Sequence, residues 1–284
     1  MMLETVAPAT VGSEDHRALA AAGGADVSLC TIVGIDGSFS RRLGAQLAVR
    51  PDGTTVGSLA DGCLEAQLAS DMAELREPRV RRYGAGSDRI DFRLPCGGGL
   101  DILLDPSPDR GRCRAAIAKL AARRPARLKL PDVSALRSRR YIPSLRIVAF
   151  GEGPELVHLV RLGRTMGLEI EAYDKQRLSL GKKAENCRFD RWTAAILLFH
   201  DHEWETPLLA QALASEAFYV GAQGGEKARI GRALALSARG VAEEQVARIT
   251  SPVGLIPACK SPDTLALSAL AEIVGAYERH YVRG

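Results

Sequence analysis

Two cysteines set among glycines offer this chain its clearest chemistry. Cys63 lies in Ala60-Asp61-Gly62-Cys63-Leu64-Glu65, and Cys96 lies in Leu94-Pro95-Cys96-Gly97-Gly98-Gly99. Gly-rich backbone beside a thiol supplies amides that cradle an anion and a soft sulfur that ligates or attacks. A buried structural cysteine and a tight turn are the bland readings, and each is credible alone. Cys63 also stands where a helix is expected to begin, and a helix N-terminus favours negative charge. Close upstream, the polar loop Ser38 to Gln46 can deliver Arg42 to a phosphate, or can be an exposed turn.

Two further groupings lie in the second half. Gly151-Glu152-Gly153-Pro154-Glu155-Leu156 follows an apolar run and opens a helical one, the context of a dinucleotide turn. Asp174 follows Gly151 by 23 residues, close to the spacing of a ribose-binding acid. Leu156 replaces the third glycine, and Glu152 puts a carboxylate where a pyrophosphate would approach, so NAD is disfavoured. His200-Asp201-His202 closes another apolar run. The two histidines can share a side of an extended chain and ligate, move protons or bind an anion. No third metal ligand is evident beside them.

The elements that must position these groups fall into two α/β halves. Val27 to Ile35 reads as a strand, and Gly44 to Arg50 with Thr54 to Leu59 as a hairpin about Pro51-Asp52-Gly53. Gly62 to Arg76 has helical spacing, with Leu64, Leu68, Met72 and Leu75 on one face. Arg89 to Leu94 and Leu100 to Leu104 read as strands flanking Cys96. Beyond Arg146, strands and helices alternate, which predicts a parallel, Rossmann-like sheet. The predicted fold is α/β: a mixed α/β N-terminal domain followed by a C-terminal Rossmann-like parallel-sheet domain. Its expected segments are an N-terminal arm (1–24), the first domain (25–109), a basic helix and linker (110–144) and the Rossmann-like domain (145–284).

The 284 residues are 46% hydrophobic and 25% charged with a net charge of +4, the composition of a soluble globular chain. No apolar run reaches the roughly 20 residues of a membrane span. The first residues lack a secretory pattern, and the six cysteines form no C-x-x-C pair, so free thiols in the cytoplasm are expected. The basic stretch from Asp109 to Arg146 lacks interleaved aromatics, so it reads as a solvated helix and linker rather than a nucleic-acid surface.

Taken in order, several segments resemble the XdhC/CoxI family of molybdenum-enzyme accessory proteins. They are Gly37 to Gln46, Val56 through Glu65, Leu94 to Gly99, His200 to Glu203, Phe218 to Ala222 and Ser251 to Leu255. The resemblance runs from about Ser28 to Ala276. It implies a chaperone that binds molybdenum cofactor (molybdopterin), supports its sulfuration and inserts it into a xanthine dehydrogenase-type molybdenum hydroxylase. The implied partners are that client and a cysteine desulfurase as sulfur donor. By position the implied cofactor-binding residues are Gln46, Cys63, Glu65, Cys96, Gly97, Gly98, Gly99, Gly151, Gly153, His200 and His202, with molybdenum contacts at Cys63 and Cys96. No catalytic residue follows from the resemblance. The chain departs from the family pattern at Ser40-Arg41, at Asp61 and after Gly221. A nucleotide at the Rossmann-like domain is a further expectation, as is a homodimer, the commonest oligomer. An NAD(P)-binding oxidoreductase and a sulfur carrier acting through Cys63 stay open as alternatives.

Overall fold

The computed structural model describes residues 14–60, 62–87 and 97–282. It divides into two compact units, one ending at Pro143 and one starting at Ser144.

The first unit is built on a five-stranded antiparallel sheet of order β3-β2-β1-β5-β4. Its elements are α1 (Glu14–Ala22), β1 (Ser28–Asp36), β2 (Gln46–Val49), β3 (Thr55–Gly57), α2 (Cys63–Glu74), β4 (Arg79–Gly84) and β5 (Gly99–Asp105). After these come α3 (Arg110–Ala121) and the hairpin β6 (Ala126–Lys129) with β7 (Ser138–Tyr141). Successive residues of a strand face opposite sides. Cys30 and Ile32 therefore join Leu64, Leu68 and Met72 of α2 in one core. Leu29 instead joins Leu19 of α1, Cys113 of α3 and Leu128 and Tyr141 of the hairpin in another. The β2–β3 turn follows its sequence: Asp52 accepts from the Thr54 amide at 2.9 Å and the Thr54 hydroxyl at 2.7 Å.

Two expectations change here, and a third is untested. The strand expected at Arg89 to Leu94 lies outside the described residues. The antiparallel partner on the outer side of β5 is β4, which three arginines hid because only Tyr83 along it is buried. The expected linker 110–144 is part of the first unit's core: Cys113, Ala116, Leu120, Leu128, Leu130 and Tyr141 are all buried. Its arginines lie between these apolar positions, and one is enclosed. Arg139 donates to the Gly44 carbonyl at 2.7 Å and to Asp15 of α1 at 2.8 Å. Helix α1, in the expected arm, likewise buries Ala18, Leu19 and Ala22.

The second unit is a five-stranded parallel sheet of order β12-β11-β10-β8-β9. Its elements are β8 (Arg146–Gly151), α4 (Gly153–Thr165), β9 (Glu169–Tyr173), β10 (Thr193–Leu198), α5 (Glu205–Leu213), β11 (Tyr219–Ala222), α6 (Glu226–Ser237), α7 (Glu243–Val246), β12 (Ile249–Thr250) and α8 (Pro262–Val282). Every residue of β10 is buried, as a central parallel strand requires. Val148, Phe150, Ala195 and Leu197 pack under α5 and Leu236 of α6. Helix α4 packs against β8, β9 and α8. The chain winds outward from β8 to β9, then crosses back to β10 on the other side of β8. That reversal makes the carboxyl ends of β8 and β10 the place where such sheets bind ligands. Among the described residues, no helix is long and apolar enough to cross a membrane.

Candidate functional site

In the first unit, β1 leaves the sheet at Asp36, opposite the first residue of β5, Gly99. β3 runs out at Gly57 toward the same end, because β1, β2 and β3 alternate in direction. The loop 37–45, the approach to α2 and the Gly97–Gly98 turn therefore share one end of the sheet. β3 and β5 stand three strand spacings apart there, about 14 Å.

Cys63 is the first residue of α2 and is exposed. Among the described cysteines, Cys30 and Cys113 are buried and Cys187 and Cys259 are half-buried. The turn before Cys63 needs Gly62, whose φ is +100°. Glu65 holds this turn from inside. Its carboxylate accepts the amides of Leu59 at 2.8 Å, Ala60 at 2.6 Å and Gly62 at 2.9 Å. Burial pushes the Glu65 carboxyl pKa up, but those amide hydrogen bonds outweigh it and the net shift is downward. Arg41 ties the neighbouring loop to the same approach, donating to the Ser58 carbonyl and hydroxyl, both at 3.2 Å. A groove of about 540 Å³ runs beside this turn, lined by residues of the β2–β3 hairpin, Gly62, Glu65 and the first turns of α2.

The other first-unit candidates divide. Arg42 is exposed on the loop beside Arg41. Gln46 is corrected from ligand to core. It is fully buried, its amide donates to Thr31 at 3.0 Å, and its carbonyl accepts from the Tyr141 hydroxyl. Cys96 lies outside the described residues. Gly97 is exposed, and the Gly98 carbonyl accepts from the Ala85 amide at 2.9 Å. Gly99 is required by close packing: a Cβ there would stand 2.6 Å from the Ala85 carbonyl and collide with Arg82. That arginine donates to Ala85 at 2.9 Å, to Asp36 at 2.9 Å and to Asp101 at 3.2 Å, fastening the strand ends.

At the second unit's switch point, the expected residues gather but are already engaged. Gly151 ends β8, with a Cβ position only 2.6 Å from the Leu198 carbonyl, and Gly153 opens α4. His200 Nε2 stands 3.4 Å from Glu155, and His202 Nδ1 stands 3.1 Å from Glu205. Glu205 is fully buried and paired with buried Arg232, which also donates to Ser251 at 2.8 Å. Lys175 reaches Glu152 at 3.0 Å and Asp201 at 3.7 Å, and stands over the Trp204 ring. Asp174 caps its own turn, accepting the Gln176 and Arg177 amides at 3.0 and 3.2 Å, rather than reaching the glycine turn. Four carboxylates (Glu152, Glu155, Asp201 and Glu205) thus face two fixed cations, Lys175 and Arg232. A pyrophosphate would meet net negative charge. Among the described residues, no group of three or more His, Cys, Asp or Glu is placed to hold a metal ion.

Lys175, Glu205 and Arg232 were not singled out by sequence reasoning. Lys175 adjoins Asp174 and was within reach of it. Glu205 and Arg232 are 27 positions apart and carried no local signal.

Comparisons with known proteins agree with this architecture. Residues 147–273 match the family model described as the XdhC Rossmann domain, and residues 20–84 match that of the XdhC and CoxI family. The molybdenum cofactor insertion chaperone PaoD of Escherichia coli (strain K12) is 32% identical, over 92% of this chain and 88% of its own. A probable xanthine dehydrogenase subunit of Bacillus subtilis (strain 168) is 21% identical, over 88% of this chain and 93% of its own. A crystal structure described as a xanthine dehydrogenase from Bacillus halodurans shares the fold at a TM-score of 0.72 and 20% identity, covering 94% of this chain and 96% of that one.

Proposed function

The chain belongs to the XdhC and CoxI family, and from that premise we propose that it binds molybdenum cofactor and delivers it to a molybdenum hydroxylase of the xanthine dehydrogenase type. The observation that carries this reading is Cys63, an exposed thiol at a glycine turn held from behind by Glu65. The cargo is anionic through its phosphate and soft through its metal and sulfurs, so thiol, backbone amides and arginines suit it. Gly97 and Gly98 bring a second glycine turn to the same end of the sheet, and Cys96, adjacent in sequence, would join Cys63 as a contact to the metal.

The finer parts of the reading are support for sulfuration with a cysteine desulfurase as donor, action in the cytoplasm and assembly as a homodimer. A nucleotide bound at the second unit, with Gly151, Gly153, His200 and His202 near it, is a further part. The negative balance there makes that the least supported part. The same balance, with Glu152 in the glycine turn, weighs against a nicotinamide oxidoreductase. A sulfur carrier acting through Cys63 is the second reading, favoured by the same exposed thiol. A persulfide trapped on Cys63 after exposure to a desulfurase distinguishes it.

The test is anaerobic molybdopterin binding under reducing conditions by wild type, Cys63→Ser and Cys96→Ser. Saturable binding by wild type, lost in a serine variant whose circular dichroism is unchanged, is the expected result. No binding by folded wild type refutes the proposal.

A further inference from the structure

The cations of the first unit are unevenly placed. The whole chain has 38 basic and 34 acidic residues, yet residues 110–140 hold 11 of the basic ones and, of the acidic, only Asp132. The rest of the chain is therefore net acidic. Folding sorts these cations into two groups. At the start of α3, Arg110 pairs with Asp26 at 2.7 Å and Arg112 with Asp109 at 3.1 Å, while Arg114 donates to the Gly23 carbonyl at 3.0 Å. At the end of α3 and along the outward face of the β6–β7 hairpin, the carboxylates run out. Lys119 and Arg124 are exposed and Arg140 is half-buried, and none of these three side chains has a partner among the described residues. Arg127 donates to a neutral group, the Ser138 hydroxyl, at 2.8 Å. Lys129 has Asp132 at 3.7 Å.

Two local rules are broken at this end, both in favour of positive charge. Arg127 and Arg140 stand directly opposite each other across the hairpin. Their neighbours Ala126, Leu128, Arg139 and Tyr141 are buried, so both arginines face outward. Like charges so placed destabilise a strand pair. Helix α3 ends in a Schellman turn, in which the Arg123 amide donates to Leu120 and the Arg124 amide to Lys119, both at 2.9 Å. The left-handed residue of that turn, with a φ of +58°, is Arg123, where glycine is favoured. Selection for stability alone would put a carboxylate opposite Arg127 and glycine at position 123. Departures of this kind collect where a surface has another task.

We propose that this face, formed by Lys119, Arg124, Arg127, Lys129 and Arg140, docks an acidic segment of another protein. Charge complementarity selects that partner. The outward positions of the hairpin strands carry Arg127, Lys129, Ser138 and Arg140, with no aromatic ring on which a base could stack. Val133, at the hairpin turn, is the one exposed large apolar side chain of residues 110–140, too little to hold a lipid surface. Arg127 and Lys129 are two residues apart on one strand, a spacing of about 7 Å that matches carboxylates on alternate residues of an extended acidic segment. The inference goes beyond cofactor binding and does not rest on it.

The test titrates the full chain into a fluorescein-labelled peptide of alternating glutamate and serine and reads anisotropy. Saturable one-to-one binding is expected, weakening about tenfold between roughly 50 and 300 mM NaCl. Arg124→Ser with Arg127→Ser is expected to weaken binding about tenfold at the lower salt. Arg110→Ser with Arg112→Ser removes the same charge from the paired end of α3 and is expected to change binding less than about twofold. Arg127→Glu gives Arg140 an opposite charge across the hairpin, so it is expected to raise Tm while weakening the peptide. Equal weakening by the two double variants would reduce the effect to general charge attraction and overturn the assignment. A lowered Tm for Arg127→Glu would overturn the premise that the opposed arginines are kept against stability. Tighter binding of duplex RNA, or of vesicles of equal parts phosphatidylglycerol and phosphatidylcholine, would overturn the acidic-protein partner. No peptide binding by folded wild type would overturn the proposal, and molybdopterin binding by the same preparation separates that outcome from the cofactor reading.

Discussion

Each of the two five-stranded sheets presents a glycine turn that opens a helix, but the turns are finished in opposite ways. At the first, the inner face is closed by one carboxylate that spends itself on backbone amides, and the outer face keeps an exposed thiol and a groove. At the second, Glu152 with Lys175, Glu155 with His200, and Glu205 with Arg232 are paired with one another near the carboxyl ends of β8 and β10. The second turn lies in the more familiar nucleotide fold, yet it is the first that leaves a thiol exposed.

Removing side chains at each turn sharpens that contrast. The largest effect belongs to the second unit. Glu205→Ala leaves the buried Arg232 guanidinium without its carboxylate and is expected to cost about 3–5 kcal/mol in urea unfolding. Glu205→Leu with Arg232→Met removes both charges and is expected to recover most of that loss. Single and double variants unfolding at the same urea concentration would show that the pair does not hold this edge.

A smaller effect is expected at the first turn. Glu65→Ala releases three amide hydrogen bonds beside Cys63 and should cost about 1–2 kcal/mol. It should also speed alkylation of Cys63 as the turn loosens. The lowered Glu65 pKa gives the sign of the pH dependence. The folded state binds this proton less readily than the unfolded chain, so the contribution is complete above the ordinary carboxyl pKa and fades as pH falls through the folded value. Wild type should therefore lose stability below about pH 4.3 more steeply than Glu65→Gln. Parallel acid profiles would assign the shift no energetic weight.

The smallest effect is that of Lys175→Gln. Its ion pairs with Glu152 and Asp201 are partly exposed and screened by salt. The variant should melt close to wild type at physiological salt. A large fall in Tm would mean that the second edge depends on this lysine rather than on the buried pair.

Much of this was legible in the residues. The apolar run Val27 to Ile35, the Pro51-Asp52-Gly53 turn and the apolar stripe Leu64, Leu68, Met72 locate the first sheet and its helix because local pattern and tertiary burial agree there. β4 was not legible, since Arg79, Arg81 and Arg82 lie on an edge strand with little apolar burial. The 110–144 segment misled for the opposite reason: its arginines stand out in the sequence, while Cys113, Leu120 and Tyr141 anchor it in the core. The glycine turn at Gly62 and the helix that Cys63 opens were legible from the sequence. Gln46 was misplaced, because nothing local reveals that Thr31 and Tyr141 satisfy it. Arg41 and Arg42 are adjacent and alike in sequence, and only the fold separates the one bound to Ser58.

The central claim is that the open thiol turn of the first unit, rather than the Rossmann-like edge, receives the cofactor. Alkylation of the full-length protein with iodoacetamide, followed residue by residue by mass spectrometry with and without saturating molybdopterin, tests it most directly. The account predicts that molybdopterin slows modification of Cys63 at least tenfold while Cys259, in the second unit, reacts as before. Equal Cys63 rates with ligand demonstrably bound would contradict it.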